Sequence, residues 1–150
     1  VSGEFDNMIQ IALYKGPATD FTHKVSHWVT CFVLSIRELK YCTYSHAELV
    51  INGVCYSSSV RDDGVRSKFI DLNSGKWDVI EVDGDVNKAL GVFNSRLGNK
   101  YDWTGAIRWG LPFIKQNPNK DYCFELVAEM LNLKNPSKWS PLDLKKLALP

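Results

Sequence analysis

The sequence predicts an α+β fold in one domain, and three observations point there. Short segments alternate apolar and polar residues as strands do. Asn52-Gly53 joins two of them as the preferred pair of a tight hairpin. Two later segments place apolar residues at helical spacing behind recognisable caps. The 150 residues suit one sizeable core, and no repeat, linker or low-complexity tract divides them. Val1–Asn7 lacks a starting methionine and is expected to be an expression scar, leaving 8–150 as the domain.

Ile9–Tyr14 reads as a half-buried strand with Ile9, Ile11 and Leu13 on one face, ended by Gly16-Pro17. Asp20 is a candidate cap for a helix through Phe21, Val25, Trp28 and Phe32. The following Cys31–Ile36 suits either helix or strand. Tyr44–Ile51 and Val54–Ser59 form the hairpin, with Ile51 facing Val54, Glu48 facing Ser57 and His46 facing Ser59. A turn at Asp62-Asp63-Gly64 leads to a strand from Val65 to Leu72, and Trp77–Val82 is another strand. Asp85 caps a helix with an apolar stripe of Val86, Leu90, Phe93 and Leu97, closed by Gly98. Asp102 could cap a short helix, and 111–120 reads as a loop. Asp121 is the expected N-cap of a helix lined by Phe124, Val127, Ala128 and Leu131. Ser140–Asp143 has the form of a capping box with proline at the first helical position.

Composition narrows the function classes. Apolar content is 45%, charged content 23% and formal net charge +1, so nothing draws the chain to nucleic acid or anionic membrane. No apolar run approaches the roughly 18 residues of a spanning helix, and no signal-peptide pattern opens the chain. The expected partners therefore include no nucleic acid and no membrane segment, and synthesis is expected in the cytoplasm. Neither GxxxxGK[ST] nor GxGxxG occurs, and no cofactor is expected. His23 and His27 stand four apart without a convincing further ligand set, so they read as surface histidines and no metal is expected.

The cysteines are Cys31, Cys42, Cys55 and Cys123, with no CxxC pair. The thiolate is the attacking form of a cysteine, and a helix N-terminus or a nearby imidazolium favours it. Cys123 alone falls in the first turn of an expected helix; the other three read as small apolar residues. A base must face it. His46 shares a strand face with Glu48 and Val50, beside Ser57 and Ser59 on the neighbouring strand. Arg61, Asp62 and Arg66 follow the hairpin, where they read as exposed turn charges or as groups that bind a substrate carboxylate.

Together, LGNKYDWTG (97–105), DYCFELV (121–127) and SHAELVINGVCYSSSVRDDGVR (45–66) resemble segments of NlpC-type papain-like cysteine hydrolases. Histidine before cysteine is similar to the circularly permuted branch, which includes lecithin-retinol-acyltransferase-like proteins and bacterial and phage-encoded amidase-like domains. The resemblance spans most of Ile9–Leu133, with the His and Cys segments its specific part. It implies a papain-like fold, with a small antiparallel sheet packed against the nucleophile helix. By the same resemblance Cys123 is the nucleophile, His46 the general base and Tyr101 an oxyanion donor. The third polar residue is Glu48, Ser57 or Ser59. The implied function is amide cleavage in peptidoglycan stem peptides, by a bacterial or phage protein that is virion-associated or delivered to the cell wall. The alternatives are lipid acyl transfer or thioester cleavage, and an inactive virion or host-interaction module of the same fold.

Overall fold

A computed structural model describes residues 8–15, 44–59, 61–101, 120–121 and 123–150. The expectations for Val1–Asn7, the Asp20 helix, His23, His27, Cys31, Cys42, the Asp102 helix and the 111–119 loop lie outside the described residues.

Five strands form one antiparallel sheet: β1 (Ile9–Tyr14), β2 (His46–Ile51), β3 (Val54–Ser59), β4 (Gly64–Lys68) and β5 (Trp77–Val82), in the order β4-β3-β2-β1-β5. The architecture is therefore mixed α+β with a small antiparallel sheet and few helices. The β2–β3 turn has φ of 50° at Asn52 and 81° at Gly53. Positive φ at both central positions is what a type I′ turn requires, and its twist matches that of the strands it joins. The ladder then runs Ile51↔Val54, Val50↔Cys55, Leu49↔Tyr56, as the sequence predicts. β4 is shorter than the Val65–Leu72 span allowed. It ends at Lys68, and Ile70, Leu72 and Trp77 pack over Ala12, Val50 and Cys55. That cover explains why β1 is buried on nearly every residue rather than on one face only.

The other face holds the main core. Ile9, Ile11, Leu13, Ala47, Leu49 and Ile51 belong to it by strand alternation, and the helices pack against them. Helix α1 (Val86–Arg96) starts at Asp85, whose side chain accepts the Lys88 amide at 3.0 Å, which satisfies a helix-end donor. It buries Ala89 and Phe93, and Phe93 meets Tyr56 edge-on at 4.8 Å. Leu97 departs from the expected stripe: the chain has already turned extended there, and the side chain is exposed.

Helix α2 (Cys123–Met130) is buried at every position but Glu129, so it is a central helix and not one with a single apolar face. Asp121 lies two residues ahead of this helix. It sits in β7 (Lys120–Asp121), which pairs in parallel with β6 (Lys100–Tyr101). A 3₁₀ turn (Pro136–Lys138) leads to α3 (Pro141–Lys145). There Ser140 Oγ accepts the Asp143 amide at 3.1 Å and Asp143 Oδ2 accepts the Ser140 amide at 3.3 Å, the reciprocal pair of a capping box.

One close approach fixes the β6 segment beside the sheet. The Val65 amide donates to the Asn99 carbonyl at 2.9 Å. Gly64, at φ 140°, passes so near that a Cβ there would stand 2.1 Å from the same carbonyl oxygen. Only glycine fits that contact without moving backbone.

Candidate active site

His46 opens β2, and Glu48 follows it by two residues. Alternation places both side chains on one face, but Cα atoms at that spacing lie about 6–7 Å apart. The side chains nevertheless converge: Nε2 of His46 lies 2.7 Å from Oε1 of Glu48. A glutamate is long enough to lean along the strand and close the gap that backbone spacing alone suggests.

Glu48 has a further partner that no local pattern announces. Arg66 of β4 donates from both terminal nitrogens, Nη1 to Oε2 at 2.7 Å and Nη2 to Oε1 at 2.5 Å. Its remaining nitrogen, Nε, donates to Asp62 Oδ2 at 2.7 Å, and Lys68 Nζ donates to that same oxygen at 2.7 Å. Arg66 is thus mostly buried within a charged row, with 14% of its side chain exposed, and is not a free turn charge. Register explains the reach: Arg66 pairs with Ser57 on β3, and continuing the β2–β3 ladder puts Glu48 opposite Ser57.

The cysteine completes the group. Cys123, the first residue of α2, is fully buried and lies close enough to His46 to favour the imidazole's protonated form. Since Glu48 occupies Nε2, the nitrogen left to exchange a proton with sulfur is Nδ1. Beyond the imidazole, Trp77 stands edge-on at 6.3 Å between ring centroids, and Tyr14 meets Trp77 at 5.0 Å. Tyr14 lies between them in the ladder, paired with His46 on one side and Trp77 on the other.

The electrostatics follow from this packing. Burial opposes a charge on His46, but the charge and hydrogen bonding of Cys123 and Glu48 outweigh it and raise its pKa from 6.5 to about 9. Burial likewise favours neutral Glu48, yet the Arg66 hydrogen bonds and the His46 charge prevail and hold the carboxyl below its usual range. Burial works to raise Asp62, but the hydrogen bonds and charges of Lys68 and Arg66 outweigh it and lower the carboxyl to about 2. Cys55 is the other thiol among the described residues. Its burial, and then the Glu48 charge, push it up to about 11, so it stays protonated and inert.

The remaining sequence candidates divide. Ser57 is fully buried and donates to the Ala47 carbonyl at 2.6 Å, so it braces the ladder and leaves the imidazole to Glu48. Ser59 is nearly buried at the end of β3, and Arg61 is exposed in the turn before β4. Tyr101 pairs through its backbone with Asp121, two residues ahead of Cys123. The sequence reading missed the Arg66–Glu48 pair and the Tyr14–Trp77 wall, and both depend on strand order, which single-strand patterns do not encode.

A second polar cluster lies at the β5 side. Asp78 accepts from Lys15 at 2.5 Å and from the Tyr44 hydroxyl, while Lys145 of α3 donates to that hydroxyl at 2.7 Å. Among the described residues no group of three His, Cys, Asp or Glu could hold a metal ion, and no helix is long and apolar enough to cross a membrane. No family model matches the chain, and no curated protein is similar to it.

Proposed function

We propose that the protein is a cysteine hydrolase of permuted papain-like architecture that cleaves amide bonds, with peptidoglycan stem peptides as its substrate class. The observation that supports this reading is the grouping of Cys123, His46 and Glu48, in which the imidazole is bound to a buried carboxylate at 2.7 Å and has the thiol beside it. The substrate class rests on the resemblance of 45–66, 97–105 and 121–127 to NlpC-type enzymes.

The reading implies the following steps. His46 Nδ1 takes the Cys123 proton, and the sulfur bonds to the substrate carbonyl carbon as its π electrons move to oxygen. The Cys123 amide is at the start of α2, where helical N–H groups lack intrahelical partners, and donates to the developing oxyanion. Tyr101 is the second donor by the same resemblance. One such donor is worth about 2.7–4 kcal/mol in the transition state. Collapse of the adduct breaks the C–N bond, and imidazolium protonates the leaving amine. Water then gives its proton to His46 and attacks the thioester, the C–S bond breaks, and the acid and thiol are released. Glu48 keeps its charge throughout, fixing the ring and stabilising its protonated form.

Cys123→Ala tests the reading. Hydrolysis of muropeptides by the purified protein should be abolished with the fold retained by circular dichroism; wild-type turnover in that variant refutes the mechanism. Wild-type protein that cleaves neither muropeptides nor simple acyl esters would point to an inactive module of this fold.

A further inference from the structure

We infer that Arg66 is a positioning residue for the general base, acting through Glu48, and that Ser57 is the small spacer that lets it reach. The inference rests on the Cys–His reading of the site and adds a member to it. A guanidinium is planar and always charged, and its paired N–H groups match a carboxylate's two oxygens. Both Glu48 oxygens are engaged in that way, and Oε1 also contacts His46 Nε2. The carboxylate therefore cannot rotate without losing a charged hydrogen bond, and the imidazole plane is set by a group two strands away. The Asp62 contact at Nε holds the guanidinium from behind.

Ser57 makes the span possible. It lies between the two charges in the β2–β3–β4 row, it is fully buried, and its hydroxyl turns down to the Ala47 carbonyl. A longer side chain at this position would occupy the path of the guanidinium. Among the described residues, the titratable groups around the carboxylate are His46 on its own strand, Cys123 on α2, Cys55 on β3, Arg66 and Lys68 on β4, and Asp62 in the preceding turn.

The test reads thiol chemistry, which needs no substrate. Alkylation of Cys123 by iodoacetamide is followed from pH 3 to 10, with the modified peptide quantified by mass spectrometry, in wild type, His46→Ala, Arg66→Met and Arg66→Lys. Arg66→Met should move the acid limb of the profile upward by about 1–3 pH units, the usual effect of an adjacent guanidinium on a carboxylate. Arg66→Lys, which keeps the charge and loses the two-pronged geometry, should fall between. A wild-type limb in Arg66→Met overturns the inference, and if His46→Ala still shifts the profile then the Cys–His reading survives it. A profile that ignores His46→Ala as well removes the reading itself. Should Arg66→Met fail to melt cooperatively, Arg66→Lys decides: a smaller shift in the same direction supports the role, and a wild-type limb overturns it.

Discussion

Glu48 and Asp78 are both carboxylates with several cationic or hydroxyl partners, yet they sit in different media. Glu48 is fully buried and is held by His46 and Arg66. Asp78 is 30% exposed and takes Lys15, Tyr44 and Lys145 around it. Both titrate below their usual range, but burial is the largest influence at Glu48 and works against its charge, whereas at Asp78 the Lys15 hydrogen bond leads. A similar set of contacts thus has different consequences. In low dielectric each partner is indispensable because water cannot replace it, while near the surface solvent and salt share the load.

Glu48→Gln should break the comparison most sharply. It leaves Arg66 without its main counter-charge, and loss of one member of a buried pair typically costs about 3–5 kcal/mol. Chemical denaturation should show a loss of that size at pH 6; a change below about 1 kcal/mol would mean water reaches the row.

The pH dependence of stability comes next, and its sign is set by the two shifts. His46 is raised to about 9, so its contribution is complete below 6.5 and is lost as pH rises through 9. Glu48 is lowered, so its contribution is complete above 4.5 and is lost as pH falls through its folded value. The row therefore stabilises best between 4.5 and 6.5. Relative to His46→Asn, wild type should lose stability as pH rises through 9. Parallel unfolding curves for the two proteins across that rise would contradict it.

Asp78→Asn should have the smallest effect, about 0.2–1 kcal/mol, reduced further by salt. Its Cys123 alkylation profile should superpose on wild type; a displaced acid limb would mean that the two clusters are coupled.

The hairpin was the most legible part of the molecule. Asn52-Gly53 specifies the turn, the turn specifies the register, and continuing that register puts Glu48 opposite Ser57, while alternation along β2 puts it on the face of His46. Asp85 and Ser140 were equally readable, because capping is decided within four residues. Legibility ends where contacts cross strands. Glu48 and Arg66 are 18 residues apart and meet only because β3 lies between their strands with a serine in the way. The burial of α2 also escaped the sequence pattern, since Cys123, Glu125 and Met130 are enclosed by neighbours on sides that helical periodicity would leave outside.

The contact at Gly64 has a counterpart at the far margin of the sheet. On β4, the Val65 amide is already committed to Asn99; beyond β5, the Leu149 amide donates to the Glu81 carbonyl at 2.9 Å. Each outermost strand thus has a backbone group tied up by a crossing segment of the same chain. Each such bond removes one edge group from those a second molecule's strand could pair with, which works against end-to-end growth of the five-stranded sheet.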